Sequence, residues 1–280
     1  MTPLNEFGSE WTVVKLDILK KYLSFYTQAL SKQNFSLIYI DGFAGTGECT
    51  VKLNGSKVTV PGSAQIALET KPPFKHLIFI EEDKAKVGEL ETLCEKRNAI
   101  CDSIVFHGDA NKQVKRVCGH LDKRSMRAVA FVDPFGMEVN WETLTSLAAT
   151  ECTDMIFLFS LSGLYRQAER NVKEDFDSKK AACLDRFLGT NEWRGVFYEP
   201  NRQGSLLGEP QGYRRIMDYK AMLDFAKKRM EGVFQYVSDP LLLPQKGPPQ
   251  FALFLAVSNP SPKAAALARR VYKDITNKHR

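Results

Sequence analysis

Four carboxylates, each standing where an apolar run gives way to a loop, are the residues best placed for chemistry: Asp41, Glu81, Asp109 and Asp133. Asp41 ends the run Ser36-Leu37-Ile38-Tyr39-Ile40 and opens Gly42-Phe43-Ala44-Gly45-Thr46-Gly47. A buried strand followed by a glycine-rich turn lets backbone approach a ligand, and such corners are where open α/β sheets bind nucleotides. The order is not the G-x-G-x-x-G of a dinucleotide fold, because Thr50 stands where the third glycine should be. It suits an S-adenosylmethionine (SAM) site better. There Gly42, Gly45 and Gly47, with Phe43 among them, pack under the methionine moiety, and Asp41 accepts a hydrogen bond from its ammonium group, directly or through water. A tight turn with no ligand is the plainer alternative.

The other three carboxylates fit the same scheme. Glu81, after His76–Ile80, is placed to bind ribose hydroxyls, while Glu82 and Asp83 suit the start of the next helix. Asp109, after Ile104–Gly108, accepts from an adenine amino group in this scheme while Ala110 offers its backbone N–H to the ring; a helix N-cap is the rival role for Asp109. Asp133 follows the wholly apolar Ala128–Val132 and opens Asp133-Pro134-Phe135-Gly136. A proline straight after the strand stops the ladder and fixes the backbone, and the plain reading of the pair is a helix cap beside a core phenylalanine.

The elements that must position these groups read as alternating strands and helices. An amphipathic helix spans Glu10 to Leu30 and carries Trp11 and Lys15 one turn apart, read as a packed Trp with a snorkelling Lys or as ligand-facing. Thr50–Val60, centred on Asn54-Gly55, reads as a hairpin inserted before Pro61-Gly62-Ser63 and a helix from Ala64 to Glu69. Helices follow at Lys84–Arg97 and Glu142–Thr150, and a fifth strand at Asp154–Ser160. From 161 to 231 the pattern loosens into basic helical pieces, a polar loop around Asn201-Arg202-Gln203-Gly204 and a helix from Tyr213 to Met230. This stretch reads as a lid or recognition segment. Val233–Val237 and Phe251–Val257, joined by the proline-rich loop 238–250, form a late antiparallel hairpin, and a basic helix runs from Pro262 toward Arg280.

The 280 residues, 44% hydrophobic and 26% charged, suit a single α/β domain of ordinary globular type. Its longest apolar run, Phe251–Val257, is far short of the roughly 18 residues that span a bilayer. The N-terminal residues Met1–Glu6 lack an export pattern, and a cytoplasmic location is expected. Six cysteines without a C-x-x-C pair, and four histidines that do not fall at ligand spacing near them, make a metal site or disulfide framework unexpected. Lys and Arg balance Asp and Glu at 18 each through residue 150, then exceed them 21 to 15. That excess points to an anionic partner for the second half, with Arg166, Arg170, Arg269 and Arg270 as the candidate contacts, or to a solvated basic surface.

Five βα strands, the late hairpin and four strand-end carboxylates together resemble the Rossmann-like class I methyltransferases. The expected sheet is seven-stranded and mainly parallel. More closely, Trp11 with Lys15, the glycine turn from Asp41, Pro61-Gly62-Ser63, Asp133-Pro134-Phe135-Gly136, and Arg186-Phe187-Leu188-Gly189 with Trp193 resemble the three-Cys-motif partner protein (TcmP) family. That resemblance implies a methyltransferase-like protein working beside a radical-SAM-like three-Cys-motif protein, either as an enzyme or as a non-catalytic SAM-binding subunit. A bacterial ribosomal RNA adenine-N6 methyltransferase family is more distantly similar. It implies that Asp133 and the Pro134 carbonyl hold an exocyclic amine of a nucleic-acid base, RNA ahead of DNA, with Phe135 stacking on the base. A protein or small-molecule acceptor is the third alternative. The chain departs from the Asp-Pro-Pro-Tyr form of the motif, with Phe135 at the second proline and Gly136 at the aromatic.

Overall fold

The computed structural model describes residues 10–53, 56–96, 101–173, 175–201, 212–244 and 246–279. Helix α1 (Glu10–Leu30) leads into β1 (Ser36–Asp41), then the hairpin β2 (Glu48–Leu53) and β3 (Ser56–Pro61), and α2 (Ser63–Leu68). Next come β4 (His76–Glu81), α3 (Lys84–Glu95), β5 (Asp102–His107), α4 (Ala110–Cys118), β6 (Met126–Val132), α5 (Trp141–Ala149) and β7 (Thr153–Ser160). A mixed stretch holds α6 (Leu161–Gln167), β8 (Asn171–Val172), α7 (Ser178–Leu188), α8 (Trp193–Phe197), β9 (Tyr198–Pro200), β10 (Tyr213–Arg215) and α9 (Tyr219–Glu231). The chain ends with β11 (Tyr236–Val237), β12 (Leu241–Leu243), β13 (Phe251–Val257) and α10 (Pro262–Asn277). The Asn54-Gly55 turn, Arg97 and the loop residues Arg202-Gln203-Gly204 lie outside the described residues.

The main sheet runs β5-β4-β1-β6-β7-β13, and β11 and β12 both pair with β13. The first five strands are parallel, as their apolar runs predict. β13 enters antiparallel, Phe251 opposite Ser160 and Val257 opposite Asp154. The chain builds outward from β1 to β4 and β5, then returns to the other side of β1 for β6 and β7. The strand order therefore reverses between β1 and β6, and the carboxyl ends there are where such sheets place ligands.

Alternation along β1 divides the core into two layers. Ile38 and Ile40 join the cluster covered by α4, α5, α6, α7 and α9. Leu37 and Tyr39 join the one covered by α1, α2, α3 and α10. At the far end of the sheet from the glycine turn, the Tyr22 hydroxyl of α1 donates to buried Asp154 at 2.7 Å, and burial pushes that carboxyl up to about 6.

Two elements differ from expectation. The helix expected from Tyr213 begins only at Tyr219, where Asp218 caps it by accepting from the Ala221 N–H at 2.8 Å. Tyr213–Arg215 instead pairs with β8 and β9 in a small antiparallel sheet. The edge strand expected over Val233–Val237 shrinks to Tyr236–Val237 and resumes at Leu241–Leu243. Pro240 has no N–H for the ladder. Ser238 spans the break, donating its N–H to the Leu255 carbonyl at 2.8 Å and accepting the Leu255 N–H on its hydroxyl at 2.9 Å.

Candidate functional site

The glycine turn is stitched to the two neighbouring strands, β6 and β4. Gly42 N–H donates to the Phe131 carbonyl and Ala44 N–H to the Ile80 carbonyl, both at 3.0 Å. Gly45 N–H donates to the Glu81 carboxylate at 2.9 Å, and the other Glu81 oxygen accepts the Asp83 N–H at 2.9 Å. Gly45 and Gly47 have φ of +63° and +90°, a region that costs an L side chain about 1–2 kcal/mol. Above Gly45 the space is open, with nothing within 4 Å of where a Cβ would stand. Pro61-Gly62-Ser63 closes the turn from below. A Cβ on Gly62 would sit 2.8 Å from the Gly47 carbonyl, so only glycine fits, and Gly62 N–H donates to that carbonyl at 2.7 Å.

Asp41 is fully buried, 0% exposed. It accepts from the Tyr39 hydroxyl at 3.0 Å, from the Phe43 N–H at 3.3 Å and from the Ser63 side chain. Burial pushes its carboxyl up to about 7, against those hydrogen bonds, and the nearby Asp133 charge adds to the rise. The direct contact between Asp41 and a ligand ammonium needs an exposed oxygen, and this carboxyl has none. What it holds is the turn itself, through Phe43, and the start of α2, through Ser63.

Asp109 takes its capping role. It accepts the Lys112 N–H at 2.9 Å at the start of α4, where Ala110 is buried and packed into the core. The next residue, Asn111, ties the β5 end to the β6 end. Its amide donates to the Glu138 carbonyl at 3.0 Å, and its oxygen accepts from Asn140 N–H at 2.8 Å and the Thr143 hydroxyl at 2.7 Å.

At the end of β6, Asp133 caps no helix: α5 begins beyond Asn140, and the Asp133 partner is Lys15, whose ammonium lies 2.5 Å from its carboxylate. Lys15 is only 6% exposed, so the snorkelling expected of it does not occur. Its ammonium also lies 5.1 Å from the Trp11 ring centroid, which packs on Phe251 at 4.7 Å. Cys49 on β2 feels the same Lys15, Asp133 and Asp41 charges, and burial pushes its thiol up. Pro134 is buried. Phe135 is 76% exposed, so the core role is excluded: the ring stands in solvent at the mouth of the site. Glu138 accepts the Phe135 N–H, and burial with the Glu82 and Glu81 charges raises its carboxyl. Arg186 donates to the Met137 carbonyl at 3.1 Å, so the Arg-Phe-Leu-Gly segment of α7 braces the Asp-Pro-Phe-Gly loop. Gly189 follows at φ +66°, pressed against Trp141.

The glycine turn, Glu81, the Asp109 cap and the Asp133 loop thus gather at one end of the sheet. The four arginines divide between the two faces of the sheet. Arg166 and Arg170 are exposed on and just after α6, which starts at the carboxyl end of β7 and packs in the first core layer. Arg269 and Arg270 are exposed on α10, which packs in the opposite layer.

No protein-family model matches the chain, and no curated protein matches it in sequence. Solved structures do. LPL1258 from Legionella pneumophila str. Philadelphia 1, a DUF519 protein, superposes with a TM-score of 0.53 at 13% identity, over 97% of this chain and 94% of that one. Spermidine synthase from Thermotoga maritima gives 0.40 at 11% identity over 89% and 60%. An S-adenosylmethionine-dependent methyltransferase from Clostridium acetobutylicum ATCC 824 gives 0.36 at 11% identity over 85% and 92%. The chain has a Rossmann-like α/β fold, a mainly parallel sheet with a late antiparallel hairpin. SAM fits the cradle: glycines leave open space over Gly45, and Glu81 carries one loop N–H on each oxygen, leaving lone pairs for hydroxyl donors.

Sequence reasoning gave no role to three residues that shape this end of the sheet: Asn111, Glu138 and Arg186, the last quoted only within the Arg-Phe-Leu-Gly segment. Asn111 had a visible signal, since it follows Asp109-Ala110 at a strand end. Glu138 and Arg186 act on the backbone of residues 135 and 137, which no residue type or spacing announces.

Proposed function

We propose that the chain is a SAM-dependent methyltransferase acting on an exocyclic amine of a nucleic-acid base, RNA ahead of DNA. One observation carries the reading: a carboxylate held in place by a buried ammonium stands beside a bare aromatic ring, next to an open glycine cradle. Bound SAM would supply an electrophilic methyl group and leave as the neutral thioether, and the methylated amine would release one N–H proton to water. Gly42, Gly45, Gly47 and Glu81 hold the cofactor, with Asp41 fastening the turn from beneath and Asp109 with Ala110 at the adenine end. Asp133 offers its remaining lone pairs, and Pro134 its carbonyl, to the two N–H bonds of the amine, which turns the nitrogen lone pair toward the methyl. Phe135 gives the base a face to stack on. Orientation of this kind supplies the rate without acid–base chemistry. Lys15 keeps Asp133 aimed from the side away from the acceptor.

Calorimetry with SAM, followed by transfer of a labelled methyl group to total cellular RNA, tests the reading. Asp133→Asn keeps the shape and a hydrogen bond to Lys15, and should leave SAM affinity within about threefold while transfer falls about 10²- to 10³-fold. Wild-type protein that gives no heat with saturating SAM refutes it. A second reading has one observation in its favour: Lys15 already occupies Asp133. In that reading the chain is a SAM-binding, non-catalytic partner of a three-Cys-motif protein, as the TcmP-like motifs suggest. It predicts SAM binding with no labelled methyl in RNA, DNA or protein even when that partner is present.

A further inference from the structure

The tyrosine that follows β7 stands in the same quarter as Phe135. Tyr165 is 41% exposed on α6. The Arg215 guanidinium lies 3.7 Å from its ring centroid and is pinned there, donating to the Tyr165 carbonyl at 2.8 Å and to the Ala168 carbonyl. One side of the ring is therefore backed by a fixed cation while the ring keeps an open, exposed area. α6 is anchored on two sides: Ser162 N–H donates to the carbonyl of Gln250, just before β13, at 2.9 Å, and Gly163 packs so close to Met137, next to the Asp133 loop, that a Cβ would sit 3.0 Å from it. On β10, Tyr213 and Arg215 are two residues apart and so share one face of the strand. Tyr213 is exposed and stacked on Phe176, centroids 5.2 Å apart. Arg166 and Arg170 flank this row, exposed and without a carboxylate partner among the described residues.

Flat rings with open faces, interleaved with unpaired cations, match the chemistry of a single-stranded nucleic acid, whose bases stack and whose phosphates need positive charge. A duplex hides its base faces, and an apolar protein surface would leave the arginines unmatched. Resting on the methyltransferase reading for the role of Phe135, we infer that Tyr165, Arg215 and Tyr213 form a second subsite that stacks nucleotides flanking the modified base, with Arg166 and Arg170 on their phosphates. The acceptor is then a single strand or loop, and the stretch between β7 and α9 supplies affinity while Asp133 supplies chemistry.

Anisotropy of a fluorescein-labelled, mixed-sequence 12-nucleotide RNA, single-stranded and as a duplex, tests this, with SAM calorimetry on the same proteins. Wild type should bind the single strand at least tenfold tighter than the duplex. Tyr165→Ala and Tyr213→Ala should each weaken it about 5- to 150-fold, as losing one stacking surface does, while Tyr165→Phe stays within threefold of wild type. Arg166→Ala and Arg170→Ala should each lower the slope of log K against log[salt] by about 0.7. A duplex bound as tightly as the single strand, or both alanine variants within twofold of wild type, overturns the subsite. The two readings fail separately. SAM binding and methyl transfer to RNA, with RNA affinity unchanged in Tyr165→Ala and Tyr213→Ala, overturns the subsite alone; RNA held through Tyr165 by a protein that gives no heat with SAM upholds it and refutes the methyltransferase.

Discussion

Replacing Lys15 with Met, Asp133 with Leu, and both together separates what the buried pair does for the fold from what Asp133 does for chemistry. The charges are 2.5 Å apart, the Lys15 side chain 8% exposed and that of Asp133 21%. Removing one partner of a buried pair costs about 3–5 kcal/mol, because the survivor stays desolvated. Lys15→Met leaves a carboxylate that can draw water through its exposed fifth, so about 2–3 kcal/mol is expected. Asp133→Leu strands an ammonium with hardly any exposure, and about 4 kcal/mol is expected. For a chain of this size that corresponds to drops in Tm of about 4–12 °C and 8–16 °C. The double variant replaces the pair by apolar groups and should return to within about 1 kcal/mol of wild type, a coupling of about 5 kcal/mol in the cycle. Urea unfolding measures the cycle, and labelled-methyl transfer is read on the refolded double variant. A double variant whose loss equals the sum of the singles, or singles within about 0.5 kcal/mol of wild type, refutes the buried-pair account. A stable double variant that still transfers methyl refutes the role given to Asp133. Thermal melting of an Asp133 single variant cannot decide between enzyme and scaffold, because the stranded lysine alone lowers it.

Gly45→Arg should abolish SAM heat while lowering Tm only by about 2–8 °C, the strain of an L residue at its positive φ, because the space above Gly45 is open and the arginine fills the cradle and not the core. Gly189→Ala should cost about 2–4 kcal/mol in urea unfolding, since φ is +66° and its Cβ would fall 2.0 Å from the Trp141 ring. Stability should fall as pH rises from about 4 to 7. Burial holds Asp41 near 7 and Asp154 near 6, against an ordinary 3.8, so the folded chain keeps protons that the unfolded chain has released. Asp17 and Asp185, held low by their partners, work in the opposite sense but only below about pH 4. Tm measured at half-unit steps from pH 4 to 8 checks it: the decline should flatten in Asp41→Asn, and an unchanged slope in that variant refutes the assignment.

The sheet was legible because its signals are local. Val129, Ala130, Phe131 and Val132 make an apolar run that only a central parallel strand needs, and the loop at its end follows from Asp133-Pro134. Asp83 at the start of α3 was equally legible, since a cap and its helix are neighbours in sequence. What stayed hidden depends on distant partners. Tyr213–Arg215 becomes a strand only because Glu199 and Val172 lie alongside, in a segment where three residues of pairing leave no periodicity. The Lys15–Asp133 contact joins residues 118 apart, and an amphipathic helix alone does not say which strand end its lysine reaches. Arg166 with Arg170 and Arg269 with Arg270 look equivalent as charge runs. Only the layer each helix packs in separates them.

The departure from Asp-Pro-Pro-Tyr follows from the backbone of this loop. Gly136, at the position of the aromatic, has φ +73°, a conformation that a bulky ring would hold only at a cost of about 1–2 kcal/mol. The chain therefore turns sharply there and drops into Met137, whose side chain is buried and whose carbonyl Arg186 fixes. With that turn in place the ring has to come one residue earlier, and Phe135, its N–H held by Glu138, is the residue that stands out in solvent. A proline at 135 would have no N–H for Glu138 to accept and no ring to stack. The Asp-Pro step, the left-handed glycine and the α7 arginine thus form one device, which explains why the Arg-Phe-Leu-Gly segment, 50 residues downstream in sequence, belongs with the loop it braces.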